Sequence, residues 1–264
     1  MVPAAAAVSD RLRAVLFRAA RYAEQVGNAL RFAGAGTMRM RDVRAGLERE
    51  FGVYYESDRE IGSGLLDWEQ EIVDRFVKPS HRVLLVGSGT GRDLLPLAAL
   101  GCRVTGIEPA ERAVALARRA LDARGLDATL VCGYFEDVPI DGRFDVVDFS
   151  HGCYSFIPES ARRVDVLRKA VRHLGPGGLV VLSVLSSSDF PRTRSAAVGR
   201  AAGALCGSDW RIENGDFFER FPATDLVRFC HLFGPGEVEA EAAAAGLRLV
   251  FSNDMGMVLS AEPA

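Results

Sequence analysis

Lysine is almost missing from this chain: only Lys78 and Lys169 interrupt a basic complement otherwise made of arginine. Together with the abundant alanine, that bias matches the coding preference of a GC-rich genome more than any function. Lys and Arg number 32 against 35 Asp and Glu, a net charge of −3. A protein that tracks a nucleic-acid backbone needs a basic excess to displace counterions, so no nucleic-acid partner is expected. Long apolar runs are missing too. A membrane span takes about 20 mostly apolar residues, and Arg, Asp or Gly interrupts every stretch well before that, so no integral membrane association is expected. Cysteine is sparse and unpatterned. Cys102, Cys132, Cys153, Cys206 and Cys230 are odd in number, with no Cys-x-x-Cys and no Cys/His pair at metal spacing. Free thiols in a reducing cytoplasm, and no metal, are the expectation. The start, Met1 to Ala7, is Ala-rich without a basic flank and does not read as a signal peptide.

What is present is an ordinary globular composition, 48% hydrophobic and 25% charged over 264 residues, enough to fill a sizeable core. Residues 1–78 read as a helical cap region. Leu12, Val15, Leu16, Ala19, Ala23, Val26 and Leu30 form one stripe that ends at Gly34-Ala35-Gly36. Thr37 can cap a second helix, with Met40, Val43, Leu47 and Phe51 facing inward, and Ile61, Leu65, Trp68, Ile72 and Phe76 mark a third. The arginines of the first two helices are expected to form a solvated face while the apolar stripe docks on the domain. A surface helix lying on anionic lipid is the alternative.

From residue 79 to 264 the rhythm changes. Short apolar runs at 82–86, 104–108, 128–132, 144–149 and 179–185 alternate with helical patterns, which predicts a parallel sheet buried on both faces. The final strands, 247–251 and 257–260, are separated by a link too short for a helical crossover and should pair antiparallel. The fold class is therefore α/β: a three-layer sandwich of a mostly parallel sheet between helices. Residues 187–234, with a small-residue helix near 196–205 and aromatics at Phe217, Phe218 and Phe221, interrupt the alternation and read as a lid.

Gly87, Gly89 and Gly91 occupy the turn between the first strand of the sheet and its helix. Glycine there permits positive φ and lets a ligand approach the backbone, while the helix start offers free N–H groups. Glu108 ends the next strand, where a carboxylate can accept two ribose hydroxyls. The dinucleotide spacing G-x-G-x-x-G is not met, since Arg92 stands where its third glycine belongs.

Taken in order, these segments resemble the motifs of class I S-adenosylmethionine-dependent methyltransferases. Val83 to Gly91 resembles their first motif, Ile107-Glu108-Pro109 their ribose-binding acid, and Gly133 to Pro139 the adenine-side loop. Phe144 to Gly152 is similar to the fourth-strand motif, and Leu174-Gly175-Pro176-Gly177-Gly178 to the turn before the fifth strand. The sequence departs from the family at Leu85, where an acid is frequent, and at Tyr134, where Asp is frequent. The resemblance implies S-adenosyl-L-methionine as cofactor. Gly87, Ser88, Gly89, Gly91 and Asp93 would lie along its methionyl part, with Glu108 at the ribose. Phe135 and Glu136 would lie by the adenine, Ser150 near the sulfonium, and Tyr55 over the cofactor.

Methyl transfer from a sulfonium mainly needs alignment and exclusion of water, with a base when the acceptor is a hydroxyl. His151 and His231 are the candidates for that base. Tyr154 and Phe156 are candidate walls of the acceptor pocket. No Pro-Pro-aromatic follows the fourth strand, which, within the resemblance, favours an O or N atom of a small-molecule acceptor over a nucleobase. A non-catalytic binding module on the same fold, and a methyltransferase working at a membrane surface, are the competing readings.

Overall fold

The computed structural model describes residues 4–54, 61, 63–186, 194–220 and 227–261. Five parallel strands, β1 (Arg82–Val86), β2 (Arg103–Glu108), β3 (Thr129–Cys132), β4 (Phe144–Phe149) and β5 (Leu174–Ser183), take the order β3-β2-β1-β4-β5. A separate two-stranded antiparallel hairpin follows, β6 (Asp216–Arg220) and β7 (Val227–His231). The last two strands, β8 (Leu247–Ser252) and β9 (Gly256–Ala261), complete the seven-stranded sheet, with β9 antiparallel to both β5 and β8. The expected terminal hairpin is therefore present.

The continuous apolar runs are explained by burial on both faces. Leu84 and Val86 of β1 join one core, with Val166 and Leu167 of α6 (Ser160–Arg172) and Val238 of α8 (Glu237–Ala244). Val83 and Leu85 join the opposite core, with Ile72 of α3 (Asp67–Phe76), Leu94 of α4 (Leu94–Ala99) and Ala117 of α5 (Glu111–Asp122). Alternate residues of one strand thus feed different cores. The third helix starts later than its periodicity suggests. Gly64 has φ +72, and the Glu69 side chain accepts the Leu66 N–H at 2.7 Å, so the helix is capped there and Ile61 and Leu65 pack from the preceding turn.

A third core lies off the sheet. Phe32 and Ala35 of α1 (Ala4–Gly36), Val43 and Leu47 of α2 (Met40–Tyr54), Ala196 of α7 (Arg194–Cys206), and Phe218 and Phe229 of the β6–β7 hairpin come together around Trp210. The hairpin has no counterpart in the sequence reading. Phe221 of the aromatic cluster, residues 187–193 and the rest of 221–226 lie outside the described residues. The docking expected of the first helix is met only at its C-terminal end. Residues 10–26 are exposed throughout, apolar stripe included. Among the described residues no helix is long and apolar enough to cross a membrane.

The α1–α7 contact depends on glycine. A Cβ on Gly36 would collide with the Gly199 carbonyl oxygen, and one on Gly199 would stand 2.8 Å from the Phe32 carbonyl oxygen and 2.6 Å from Ile212 Cδ1. Gly199→Leu should therefore destabilise the protein by about 1–3 kcal/mol through overpacking, read as a lower urea midpoint. An unchanged midpoint would show that the two helices do not meet this closely in solution.

Candidate active site

Strand order reverses at β1, which has β2 on one side and β4 on the other; open α/β sheets bind ligands at the carboxyl ends of strands at such a point. The chain leaves β1 through Gly87, Gly89 and Gly91, all at positive φ (78°, 52° and 104°), a conformation that other L residues adopt at a cost. The Gly87 and Ser88 N–H groups both donate to the Ile107 carbonyl, at 2.8 and 3.1 Å, which holds the turn against β2. A Cβ on Gly87 would sit 2.7 Å from Cys153 Sγ, and the Ser88 hydroxyl packs against Gly106, where a Cβ would lie 2.9 Å from it.

Glu108 closes the turn. Its carboxylate accepts the Gly89 N–H at 3.0 Å and the Ala110 N–H at 2.9 Å, and the residue is 3% exposed. Burial pushes its pKa up to about 7, against the lowering effect of the two backbone donors. Asp93, at the start of α4, is also buried and also raised, to about 6, with Arg92 opposing the shift. It accepts the Ser150 hydroxyl at 2.5 Å, which ties β4 to the turn. Arg92 donates to both Glu69 oxygens and to the Gly64 carbonyl at 3.1 Å, so α3 is anchored to the residue after the last glycine. Asp148, on β4, is held well above the usual carboxylate range by burial and by the neighbouring Asp93.

The loop after β3, expected to face an adenine, is held from both sides. Lys169 Nζ donates to the carbonyls of Phe135, Val138 and Glu136 at 2.5, 2.8 and 3.2 Å. Helix α2 reaches it from outside: Arg44 pairs with Asp137 at 2.7 Å and Glu136 at 3.6 Å, and Tyr134 donates to Glu48 at 2.9 Å. The Phe135 ring is buried and meets Phe149 edge-on at 5.8 Å, so its contribution to the loop's outer surface is backbone. Glu69, Arg92, Asp148, Arg44 and Lys169 escaped the sequence reading. Only Arg92, directly after Gly91, carried a positional signal.

His151 is exposed at the carboxyl end of β4, with its ring 6.0 Å from that of Trp68. Tyr55 lies outside the described residues. Tyr154 does not wall a pocket: it is fully buried, its hydroxyl donates to Glu241 at 2.8 Å, and its ring stacks on Phe233 at 5.7 Å. Phe156 is half-buried against the third core. His231 is likewise not open to an acceptor. Its ring is 0% exposed, with Nδ1 2.8 Å from Asp216 and Nε2 2.9 Å from Glu237. Around it, Arg163 binds Glu241 at 2.8 Å and Glu213 at 3.1 Å, and Glu213 also accepts the Ser160 N–H. This network fastens the β6–β7 hairpin to α6 and α8.

The reversed β9, the strand order and the glycine turn together define the Rossmann-like methyltransferase fold. Residues 83–178 match the family model described as "Methyltransferase domain". Cypemycin N-terminal methyltransferase of Streptomyces sp is 32% identical over 132 residues, 50% of this chain and 51% of that protein. Demethylmenaquinone methyltransferase of Thermus thermophilus is 34% identical over 139 residues, 51% of this chain and 59% of the relative. The chain thus spans about half the length of these curated relatives. The CcbJ methyltransferase structure from Streptomyces caelestis superposes with a TM-score of 0.58 at 21% identity, over 80% of this chain and 96% of that one. Residues 83–178 therefore match a methyltransferase domain, and the sheet built around them has the Rossmann-like methyltransferase fold.

Burial and the Arg163 guanidinium would lower the His231 pKa, but the hydrogen bond to Asp216 and the carboxylates of Asp216 and Glu237 more than offset them and raise it above 6.5. A raised folded-state pKa makes the ring's contribution to stability complete below about pH 6.5 and lost as pH climbs through the folded value. Thermal unfolding of the wild type should therefore weaken from pH 6 to pH 9 relative to His231→Gln, whose profile lacks that component. Parallel profiles would show that the ring does not hold the hairpin as a cation.

Proposed function

We propose that this chain is an S-adenosylmethionine-dependent methyltransferase acting on an oxygen or nitrogen of a small-molecule acceptor. One observation carries the reading. An ionised carboxylate has about four acceptor sites; Glu108 gives two to backbone N–H groups at the switch point, and two remain for the vicinal hydroxyls of a ribose. The residues present therefore suit the cofactor. In this reading Gly87, Ser88, Gly89 and Gly91 line the methionyl part, with Asp93 and Ser150 next to it. Glu108 grips the ribose, and Glu136 with the Phe135 backbone flanks the adenine. Bound there, S-adenosyl-L-methionine supplies a methyl group on a good leaving group.

The chain's own work is then to orient the acceptor and keep water out. The β6–β7 hairpin, α7 and α2 serve as the cover. His151, at the end of β4 and open to solvent, is the group that accepts a proton when the acceptor is a hydroxyl. The two curated relatives are named for an N-terminal acceptor and for demethylmenaquinone, so the shared domain does not fix the acceptor. We assign that choice to α2 and the 194–231 region, which lie outside residues 83–178.

Calorimetric titration with S-adenosylhomocysteine tests the cofactor assignment. Glu108→Gln should weaken binding by at least about tenfold, as loss of a charge-assisted contact would, with the circular dichroism spectrum unchanged. Equal affinity would remove Glu108 from the ribose site. His151→Ala should lower turnover by about a hundredfold or more on hydroxyl acceptors, measured as S-adenosylhomocysteine release across a panel of alcohols and amines. Cofactor affinity should stay as in the wild type. Undiminished turnover on every alcohol that reacts would overturn the base assignment.

A further inference from the structure

We propose that α1 is a surface-docking arm that lies on an anionic lipid bilayer. The proposal goes beyond the methyl-transfer reading and does not depend on it. Among the described residues, the C-terminal end of this 33-residue helix is the part packed on the rest of the molecule: Phe32 and Ala35 are buried in the third core, and Arg31 donates to the Phe218 carbonyl. Residues 10–26 are exposed on all sides, a projection of about 25 Å at 1.5 Å per residue.

Along that arm the apolar side chains are ordered. At about 100° per residue, Leu12, Val15, Leu16, Tyr22, Val26 and Leu30 fall within an arc of about 120°, while Phe17, 68% exposed, stands outside it. Their exposures run from 42% at Val26 to 69% at Tyr22 and Leu30. Phe32 and Ala35, which dock the helix, lie on the opposite side of the same wheel. The apolar face therefore points away from the protein's own core, and nothing among the described residues covers it.

Charge decides the occupant. Between residues 10 and 36 the helix carries five arginines and two acids, on a chain whose net charge is −3. Arg11 and Arg18 border one edge of the arc, and Arg13 stands beyond the other. Asp10 and Glu24 occupy the far side. A second copy of this helix would bring no acid to the edges of the arc, leaving Arg11 and Arg18 without counter-charge. An anionic bilayer supplies both needs: an acyl boundary for the apolar arc and phosphates for its flanking guanidinium groups. The arginine stems can lie along the apolar surface with their heads at the phosphates.

The test is co-sedimentation of the full chain with vesicles of phosphatidylcholine containing about 30% phosphatidylglycerol, against pure phosphatidylcholine. Binding is expected to the anionic vesicles only, and to weaken by at least tenfold between 50 and 500 mM salt. Leu12→Glu with Leu16→Glu should abolish it, and Arg11→Glu with Arg18→Glu should reduce it by at least tenfold. All four positions are exposed, so S-adenosylhomocysteine binding should stay at the wild-type level in both variants and report an intact fold. Failure of the vesicle assay with intact cofactor binding overturns this proposal alone; loss of cofactor binding in the wild type bears on the methyl-transfer reading alone. Equal binding to both vesicle types, binding that survives the Leu12/Leu16 change, or a dimer in sedimentation velocity that the Leu12/Leu16 change breaks and no vesicle competes with, would each overturn the lipid assignment.

Discussion

The carboxylate of Glu108 sits where three separate pieces of chain must meet: the end of β2, the glycine turn after β1 and the start of α5. Burying an ionised group without partners would cost several kcal/mol. Here the Gly89 and Ala110 N–H groups, both orphan donors at bends in the chain, offset part of that cost, and burial still holds the pKa up to about 7. The exchange works in both directions, because the same contacts leave those donors satisfied in a place where no regular ladder reaches them. The positive φ values at Gly87, Gly89 and Gly91 are the backbone's condition for this arrangement. A residue with a Cβ at Gly87 would meet Cys153, and the turn would have to open. The end of β2, the glycine turn and the start of α5 are joined at that one closure.

From this point a second polar chain runs to the outside of the domain. Ser150 binds Asp93, Asp93 lies 3.3 Å from Arg92, and Arg92 clasps Glu69 of α3, whose carboxylate also caps its own helix at Leu66. Three buried or half-buried acids share one guanidinium, so the cluster carries excess negative charge, and Asp93 and Asp148 respond with raised pKa values. A cationic group entering beside them would relieve that repulsion, and the sulfonium of the proposed cofactor would be such a group.

The sheet was legible in the sequence because each strand, buried on both faces, is a short apolar run bounded by glycine or charge. Leu84 and Leu85 differ in which core they enter, yet both had to be apolar. The glycine turn and Glu108 were legible because local geometry demands them: a positive φ and a strand-end carboxylate leave marks within 21 residues of each other along the chain. His231 and Tyr154 were misassigned for the opposite reason. Their chemistry is ordinary, and their fate is decided by Asp216, Glu237 and Glu241, the last 87 residues away from Tyr154. The same holds for Glu69 and Arg92. In α1, periodicity revealed a stripe but not its exposure, since a wheel says which residues share a face and nothing about what meets it.

Helix α2 joins the parts that sequence reading treated separately. Val43 and Leu47 place one of its faces in the third core with the β6–β7 hairpin, while Arg44 and Glu48, one residue on in each turn, hold the loop after β3. Residues four apart share a helix face, so the two pairs form adjacent stripes on a single rigid rod. Lys169 fixes the same loop from within the domain. A displacement of the hairpin large enough to uncover the sheet edge must therefore either break the packing of Val43 and Leu47 or pull Arg44 and Glu48 away from Asp137, Glu136 and Tyr134. The partly exposed polar contacts are the weaker attachments, each worth at most about 1 kcal/mol against roughly 1.5–3 kcal/mol for each buried apolar side chain. Opening should thus carry α2 with the hairpin and part at the contacts of Arg44 and Glu48 with residues 134–137, so the hairpin and the loop after β3 separate along a polar seam while the apolar core stays closed.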